Sequence, residues 1–205
     1  LSNTFGFIVD GKQNMNNIIK NWKETDSVSL SCSILDNGGI IVYPTDTIYG
    51  FGCDATNEHA IKKINLIKGR QTPISVMAPS ETNIENWFNV EKRHKNKILK
   101  RVFSSDTHII PIKNNIVSEL ILGNDKSLGI RKPNHSFCIQ LSANYPNPIT
   151  TTSVNRTGEP PLKDPKLIYN KFKGEIDLII EGGILDNKGS KIYKYDRGKF
   201  ICLRS

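Results

Sequence analysis

Two short segments in the first half of the chain carry side chains that could bind an anionic ligand. Thr45-Asp46-Thr47 places two hydroxyls and a carboxylate on a loop after an apolar stretch, where open α/β sheets bind ligands. Lys68-Gly69-Arg70 places two cations around a glycine at a predicted helix end; the glycine lets both turn toward one ligand, for which a phosphate chain is suited. Two alternatives stay open. The threonines could satisfy their own backbone in a turn, and the cations could complement the helix dipole.

Two further groups of candidate residues lie in the second half. Residues 150–161 combine a run of hydroxyls with Asn155 and close with a glycine and two prolines, which indicates a ligand site, with a plain polar loop as the alternative. Arg131 and Arg204 lie in or at the end of apolar stretches, where arginine is rarely buried without an anionic partner. An internal ion pair, or a stem that snorkels at a sheet edge, would also explain these arginines.

Several familiar catalytic and metal-binding signatures are missing. The chain has no Walker-type phosphate loop, no H-E-x-x-H and no G-x-S-x-G, and Gly50-Phe51-Gly52 lacks the third glycine of a dinucleotide-binding loop. The histidines fall in different predicted elements without ligand spacing, so we predict no metal held by the protein alone. They are His59, His94, His108 and His135.

Composition excludes a membrane-spanning protein. The chain has 28 Lys+Arg against 20 Asp+Glu, a formal net charge of +8. Its longest apolar runs, residues 109–112 and 176–180, are far shorter than the roughly 20 residues that cross a bilayer. We therefore predict one basic, cytoplasmic domain over residues 1–205, with no extra carboxy-terminal domain. The scattered cysteines are expected to be buried, reduced thiols; they are Cys32, Cys53, Cys138 and Cys202.

Strand-like and helix-like segments alternate along the chain, which favours a single α/β domain. Residues 40–43 read as a buried strand after a helix that ends at Gly38-Gly39, and residues 45–52 as the following loop. Asn57 is positioned to cap a helix that ends at Gly69. Further strands are predicted at 74–77, 108–113, 128–132, 149–153, 176–181, 191–195 and 200–204, and further helices at 80–88, 90–103, 134–144 and 164–172.

Taken in this order, the segments resemble the YrdC/YciO family of threonylcarbamoyl-AMP synthases, in its short, single-domain form, over residues 38–204. The family's PT[DE]T-x-Y-G-x-G segment is similar to residues 44–52, and its K-x-R to Lys68-Gly69-Arg70. Its [ST]-S-A-N-x-S-G-x-P-P run is similar to residues 152–161. The remaining matches are Arg131 with Pro133, Gly182-Gly183, Ser190 and the final Leu203-Arg204.

The resemblance implies a fold and a reaction. The fold would be an open, twisted, mixed sheet flanked by helices, with a concave basic pocket. The reaction would convert L-threonine, bicarbonate and ATP into threonylcarbamoyl-AMP and pyrophosphate, the nucleotidyl transfer that prepares threonylcarbamoyladenosine at position 37 of tRNA. A downstream tRNA threonylcarbamoyl transferase complex would be the partner, and direct RNA contact is a further expectation. Mg²⁺ would arrive with ATP.

The resemblance also implies residue roles, carried over position by position. Lys68 and Arg70 would be the catalytic cations on the phosphates. The L-threonine site would include Arg131, in a bidentate pair with the carboxylate. The other expected ATP ligands are Ser127, Ser153, Asn155 and Arg204, and the other expected threonine ligands are Thr47, Thr151 and Ser190.

The chain departs from the family pattern in three places. Residues 103–108 replace a W-P-G-P-x-T turn, residues 70–73 are two residues shorter than the family's loop, and Lys191 replaces a threonine after Ser190. These departures leave open a YciO-like paralogue with another acceptor. A non-catalytic RNA-binding module is the second alternative; it fits the net charge, but only 8% of the residues are aromatic.

Overall fold

The computed structural model describes residues 18–71, 73–80 and 83–205, and the strands within them form one mixed sheet of ten. The strands are β1 Ile19–Asn21, β2 Ile41–Tyr43, β3 Gly50–Gly52, β4 Ser75–Met77, β5 Thr107–Pro111, β6 Ser127–Arg131, β7 Ile149–Ser153, β8 Leu178–Glu181, β9 Ile192–Asp196 and β10 Lys199–Arg204. The helices are α1 Ser27–Asp36, α2 Glu58–Lys68, α3 Lys92–Val102, α4 Ser136–Asn144 and α5 Pro165–Phe172, with 3₁₀ turns at Ile84–Trp87 and Glu119–Ile121.

The sheet is open, in the order β1-β8-β2-β3-β7-β4-β6-β5-β9-β10. Strands β1, β8 and β2 are parallel, whereas β3 and β7 run antiparallel to their neighbours. Parallel β4–β6 and β5–β9 pairs and the antiparallel β9–β10 hairpin complete the other half. The predicted open mixed sheet flanked by helices is confirmed.

Alternating side chains of the strands enter two hydrophobic cores, one on each face of the sheet. Val42 belongs to a core that includes residues of α2, α3 and α5, whereas its neighbours Ile41 and Tyr43 belong to a core that includes residues of α1 and α4. Successive side chains of a strand point to opposite faces, so the sequence alternation specifies both layers. The candidate site lies beside α1 and α4 on the second face, where residues of β4, β5, β6, β7, β9 and β10 line it.

Several predicted boundaries agree with the structure and others do not. The Asn57 side chain accepts a hydrogen bond from Ala60 N at 3.1 Å, and Gly69 ends α2 with a left-handed φ of 67°. Gly50–Gly52 was predicted as loop but pairs with β2 and β7, so the preceding loop closes a β-hairpin. The helix predicted over residues 80–88 is only a 3₁₀ turn at Ile84–Trp87 among its described residues.

The cysteines agree with the sequence prediction only in part. All four cysteines are free; Cys53 and Cys138 are buried as predicted, but Cys32 is half-buried and Cys202 is exposed. Cys202 lies on β10, which has no neighbour on its outer side. No helix in the described part of the chain is long and apolar enough to span a bilayer.

Candidate active site

A cleft on the open face of the sheet collects three arginines and a series of hydroxyls. Arg70, Arg131 and Arg204 line it, and no aspartate or glutamate occurs among its described lining residues. The cavity volume is about 190 Å³, below the roughly 300–1,000 Å³ that small-molecule sites occupy. The hydroxyls belong to Thr45, Ser75, Thr107, Thr151, Thr152, Ser153 and Ser190.

The β2–β3 hairpin loop supplies one wall of the cleft. Thr45 Oγ1 donates to Ile48 O at 2.7 Å and accepts from the backbone N–H groups of Thr47 and Ile48 at 3.1 and 3.2 Å. The threonine thus satisfies its own turn, as the alternative interpretation of this motif expected. The same turn presents Thr47 Oγ1 to the Arg131 guanidinium at 2.9 Å. The turn interpretation is therefore confirmed, and the binding of a ligand by this loop stays a prediction.

Arg131 closes β6 and ties three segments together at the floor of the cleft. Its side chain is only 5% exposed, and Nη2 donates to Asp46 Oδ1 at 2.8 Å and to Thr47 Oγ1 at 2.9 Å. Nε donates to Ser105 O at 2.9 Å. Because Nε and Nη2 are occupied, a carboxylate can pair only with Nη1, so the fork geometry of the expected bidentate pair is not available in this arrangement.

Arg204, Ser190 and Thr107 form the opposite wall. Arg204 donates from Nε and Nη2 to Ser190 O at 3.0 and 2.6 Å. Ser190 Oγ lies 2.9 Å from Thr107 Oγ1, whose side chain is buried. Burial, and after it the charge of Arg131, lowers the pKa of Arg204. The two guanidinium groups are therefore close enough to repel each other, and a bound anion would relieve that repulsion.

Lys68 is directed into the protein rather than into the cleft. The residue is 2% exposed, and Nζ donates to Ser153 O, Asn155 O and Asn155 Oδ1 at 2.7, 3.1 and 3.0 Å. Burial, and after it the charge of Arg70, lowers the pKa of Lys68 to about 8. Three oxygen acceptors satisfy all three donors of an ammonium. Lys68 therefore holds the loop that follows β7.

Asn155 and Ser153 complete this anchored loop. Ser153 Oγ donates to Asn155 Oδ1 at 2.6 Å, and Asn155 Nδ2 donates to Glu159 O at 2.6 Å. The Asn155 side chain is buried and does not line the cleft, whereas Ser153 does. The prediction that Asn155 supports the loop agrees with these contacts.

The cleft brings together six of the ten predicted site residues: Arg70, Arg131, Thr151, Ser153, Ser190 and Arg204. Thr47 touches it through Arg131 and Thr45. Lys68 and Asn155 lie behind the loop, so the two cations of the K-x-R motif do not face one ligand together. Ser127 lies in a neighbouring hollow, where its hydroxyl donates to Asp125. The ligand roles of these residues stay predictions.

Sequence reasoning missed Ser75 and Thr107 of the lining, and it singled out the segments of Thr45 and Thr152 without giving these two residues a role. Thr45 belongs to the quoted P-T-[DE]-T motif, so its signal was present. Ser75 pairs in register with Thr151 across β4 and β7, a neighbour relation that sequence alone does not contain. Thr107 follows the departure at residues 103–108, and its contact with Ser190 spans 83 residues.

The donor set of the cleft suits a polyanion and offers little to a metal ion. No group of three or more His, Cys, Asp and Glu side chains that could hold a metal occurs within the described ranges. Guanidinium and hydroxyl donors around a partly closed space bind phosphate and carboxylate oxygens. The geometry therefore supports a site for anionic substrates.

Known proteins resemble the chain over most of its length. Residues 33–205 match the model of the Sua5/YciO/YrdC family, whose description is "Telomere recombination". A Coxiella burnetii protein named threonylcarbamoyl-AMP synthase is 31% identical over 77% of this chain and 86% of its own length. A Photobacterium profundum protein of the same name is 29% identical, over 77% and 87%.

Two solved structures share the fold. Sua5 of P. abyssi, complexed with L-threonine, has a TM-score of 0.79 and 24% identity, and the match covers 92% of this chain and 56% of that one. E. coli YciO has a TM-score of 0.78 and 22% identity, with 91% and 92% covered. At these identities the two structures establish the fold alone.

Proposed function

The chain belongs to the Sua5/YciO/YrdC family, and on that premise we propose that it forms L-threonylcarbamoyl-AMP and pyrophosphate from L-threonine, bicarbonate and ATP. The observation that carries the proposal is the convergence of Arg70, Arg131 and Arg204 on one cleft without a lining carboxylate among the described residues. The names of the Coxiella and Photobacterium relatives support the same activity.

The chemistry demands positioning and charge neutralisation rather than a covalent nucleophile. The amine of threonine combines with bicarbonate to a carbamate, with loss of water. A carbamate oxygen then bonds to the α-phosphorus of ATP, and the bond to the β-phosphate oxygen breaks, so that pyrophosphate leaves. Carbamate and triphosphate repel each other, and fixed cations around both lower the barrier to their approach.

We place L-threonine against Arg131. Its carboxylate would accept hydrogen bonds from Nη1, the part of the guanidinium that Asp46, Thr47 and Ser105 leave free. The hydroxyls of Thr151 and Ser190 line the cleft on either side and would hydrogen-bond the rest of the amino acid. Thr47 would act through the orientation of Arg131.

We place the triphosphate between Arg70 and Arg204, with Ser153 as a hydrogen-bond donor. Lys68 and Asn155 are positioning residues in this scheme, because their polar atoms hold the loop that carries Ser153. Mg²⁺ would enter with ATP, bound by phosphate oxygens and water, since the described lining offers hydroxyls but no carboxylate. Ser127 would meet the nucleotide only if it extends into the neighbouring hollow.

The proposal makes the chain a cytoplasmic nucleotidyltransferase whose product is consumed elsewhere. Threonylcarbamoyl-AMP is a mixed anhydride, so a separate transferase must move its acyl group to the adenosine at position 37 of tRNA.

The test is pyrophosphate release by the purified protein, with the product identified by mass spectrometry. We expect product only when ATP, L-threonine and bicarbonate are all present, and its loss in Arg70→Gln. Arg197→Gln, whose side chain is 93% exposed on the β9–β10 turn, is the matched control. ATP binding without product would favour a YciO-like paralogue, and absence of ATP binding would contradict the proposal.

A further inference from the structure

The Arg70 side chain reaches the cleft without support from neighbouring side chains. Arg70 is exposed and lines the cleft, and its guanidinium forms no hydrogen bond or ion pair with any residue that the structure describes. Arg131 and Arg204, by contrast, are each held by hydrogen bonds to backbone carbonyls. The direction of Arg70 therefore depends on its backbone, which leaves the end of helix α2 at Gly69.

The end of helix α2 is completed by the loop that follows β7. The last four carbonyls of an α-helix have no partner within the helix itself. In α2 the first two of them accept hydrogen bonds from backbone N–H groups just past the helix. The other two depend on the loop, because Ile67 O accepts from Arg156 Nη1 at 2.6 Å and Lys68 O accepts from Thr157 N at 2.9 Å. Arg156 therefore completes the helix end, where its positive charge also complements the helix dipole.

The Arg156 guanidinium is itself held in place. Its Nη2 donates to Glu175 Oε1 at 2.7 Å, and its Cζ lies 5.6 Å from the centroid of the Phe172 ring. That ring is buried and packs edge-on against Phe51, so the guanidinium rests on the core. Arg156 is not among the described residues that line the cleft. It therefore joins the end of α5 to the end of α2 without contacting a ligand in the cleft.

We propose that Arg156 is a positioning residue of the phosphate site, which fixes the end of α2 and, through it, Arg70. This inference rests on the proposed function, since it concerns a cation that would bind the triphosphate. The S-A-N-x-S-G part of the family pattern leaves the position of Arg156 open, so the role is not contained in the motif. Lys68 extends from the helix into the loop, and Arg156 extends from the loop back to the helix, so the two contacts join the same pair of segments.

Two other effects of Arg156 on ATP binding can be separated from this role. The first is the ion pair with Glu175, whose side chains are 40% and 36% exposed, and such pairs contribute little. The second is attraction of ATP by the positive charge from a distance. Glu175→Gln breaks the ion pair, keeps the contact between Arg156 and Ile67 O, and makes the region more positive. The positioning role therefore predicts unchanged ATP binding in this variant, the ion pair predicts weaker binding, and long-range attraction predicts tighter binding.

The first experiment measures the Kd of ATP, with Mg²⁺ present, by displacement of a fluorescent ATP analogue, a method that follows weak as well as tight binding. We expect Arg156→Gln to weaken ATP binding about three- to tenfold, while the Kd of L-threonine stays within about twofold. Arg197→Gln removes the same charge from a side chain that is 93% exposed, and it should change neither Kd. Glu175→Gln should change the Kd of ATP by less than about twofold.

The second experiment tests whether Arg156 acts through Arg70. In the Arg70→Gln background, Arg156→Gln should alter the Kd of ATP by less than about twofold, because the cation that it positions is gone. Equal effects of Arg156→Gln in the two backgrounds would overturn the proposal. So would an effect of Glu175→Gln as large as that of Arg156→Gln, tighter ATP binding in Glu175→Gln, or an equal loss of L-threonine binding in Arg156→Gln.

Binding and turnover distinguish this inference from the proposed function on which it rests. The Kd values are measured without turnover, so a protein that binds ATP with these dependences but releases no pyrophosphate contradicts only the proposed function. Normal product formation in the wild type, with an unchanged Kd of ATP in Arg156→Gln, contradicts only the positioning role. Absence of ATP binding in the wild type contradicts both.

Discussion

Replacing Lys68 by methionine separates two roles that a lysine of the K-x-R motif can have. In the structure its ammonium is buried and donates to Ser153 O and to both oxygens of Asn155 at 2.7–3.1 Å. A lysine that contacted phosphate directly would leave protein stability unchanged when removed. A lysine that anchors the loop should affect both stability and ATP use.

The magnitude follows from two opposing effects. Lys68→Met removes three hydrogen bonds from a charged donor, at about 1.5–3 kcal/mol each, although Asn155 Oδ1 keeps the Ser153 hydroxyl and Ser153 O keeps the Asn155 N–H as donors. It also removes a buried ammonium, whose pKa of about 8 against 10.5 corresponds to a saving of about 3 kcal/mol. We therefore expect the free energy of unfolding to fall by about 1.5–6 kcal/mol at pH 7, and the KM for ATP to rise at least tenfold.

Urea denaturation followed by tryptophan fluorescence, with pyrophosphate release at varied ATP, checks both numbers. Lys63→Met, on the exposed side of the same helix, is the control. The pKa of Lys68 is lower in the folded protein than in the unfolded chain. The buried charge therefore destabilises the wild-type fold to its full extent below pH 8 and no longer does so above about 10.5. The destabilisation in Lys68→Met should thus grow as pH rises through this window. Unchanged stability together with impaired ATP use would refute the anchoring role.

Three further predictions concern the cleft and its support. Arg131→Ala should raise the KM for L-threonine. Because it leaves Asp46 unpaired, it should also lower the free energy of unfolding by about 3–5 kcal/mol. In the double variant with Asp46→Ala, urea denaturation should show the stability recovered, whereas the KM should stay raised. Thr107→Val should raise the KM for L-threonine about two- to tenfold, because it removes one hydrogen bond to Ser190. Thr107→Ser keeps that hydrogen bond and should restore the KM. Equal KM values in the two variants would show that Thr107 does not position Ser190. His108 is fully buried with neither ring nitrogen hydrogen-bonded, and burial lowers its pKa. Stability in the wild type should therefore fall as pH drops below about 6.5, and urea titrations of His108→Phe should show a weaker dependence.

Sequence patterns predicted the helices and strands of this fold where they are long or are bounded by residues that begin or end an element. The cap at Asn57, the stop at Gly69 and strand β7 at Ile149–Ser153 all follow from local residue types. Strand β3 was not predicted, because Gly50–Gly52 has only three residues, two of them glycines, and forms a strand only by pairing with β2 and β7 on either side. Its strand character therefore comes from neighbours rather than from its own propensity.

The direction of the Lys68 side chain could not be predicted from the K-x-R motif. Local geometry allows both cations to turn outward past Gly69, and the prediction relied on that freedom. The structure turns Lys68 inward because carbonyl oxygens of residues 153 and 155 point at the end of α2, a contact across more than 80 positions in sequence. The same long-range origin explains why Arg131 was not predicted as the partner of Asp46, a carboxylate that the sequence placed in a ligand loop or, alternatively, in its own turn.

The distribution of counter-ions explains how the cleft can favour the most anionic stage of the reaction. Arg131 has Asp46 as a fixed partner, so its charge is largely balanced and its orientation is set. Arg70 and Arg204 have no carboxylate within 4.0 Å among the described residues, and burial together with Arg131 lowers the pKa of Arg204. Their charge becomes balanced only when phosphate oxygens enter. Negative charge on the oxygens around the α-phosphorus and on departing pyrophosphate is greatest as the bond breaks. If the triphosphate binds as we propose, these two arginines would therefore stabilise that stage more than the free substrates.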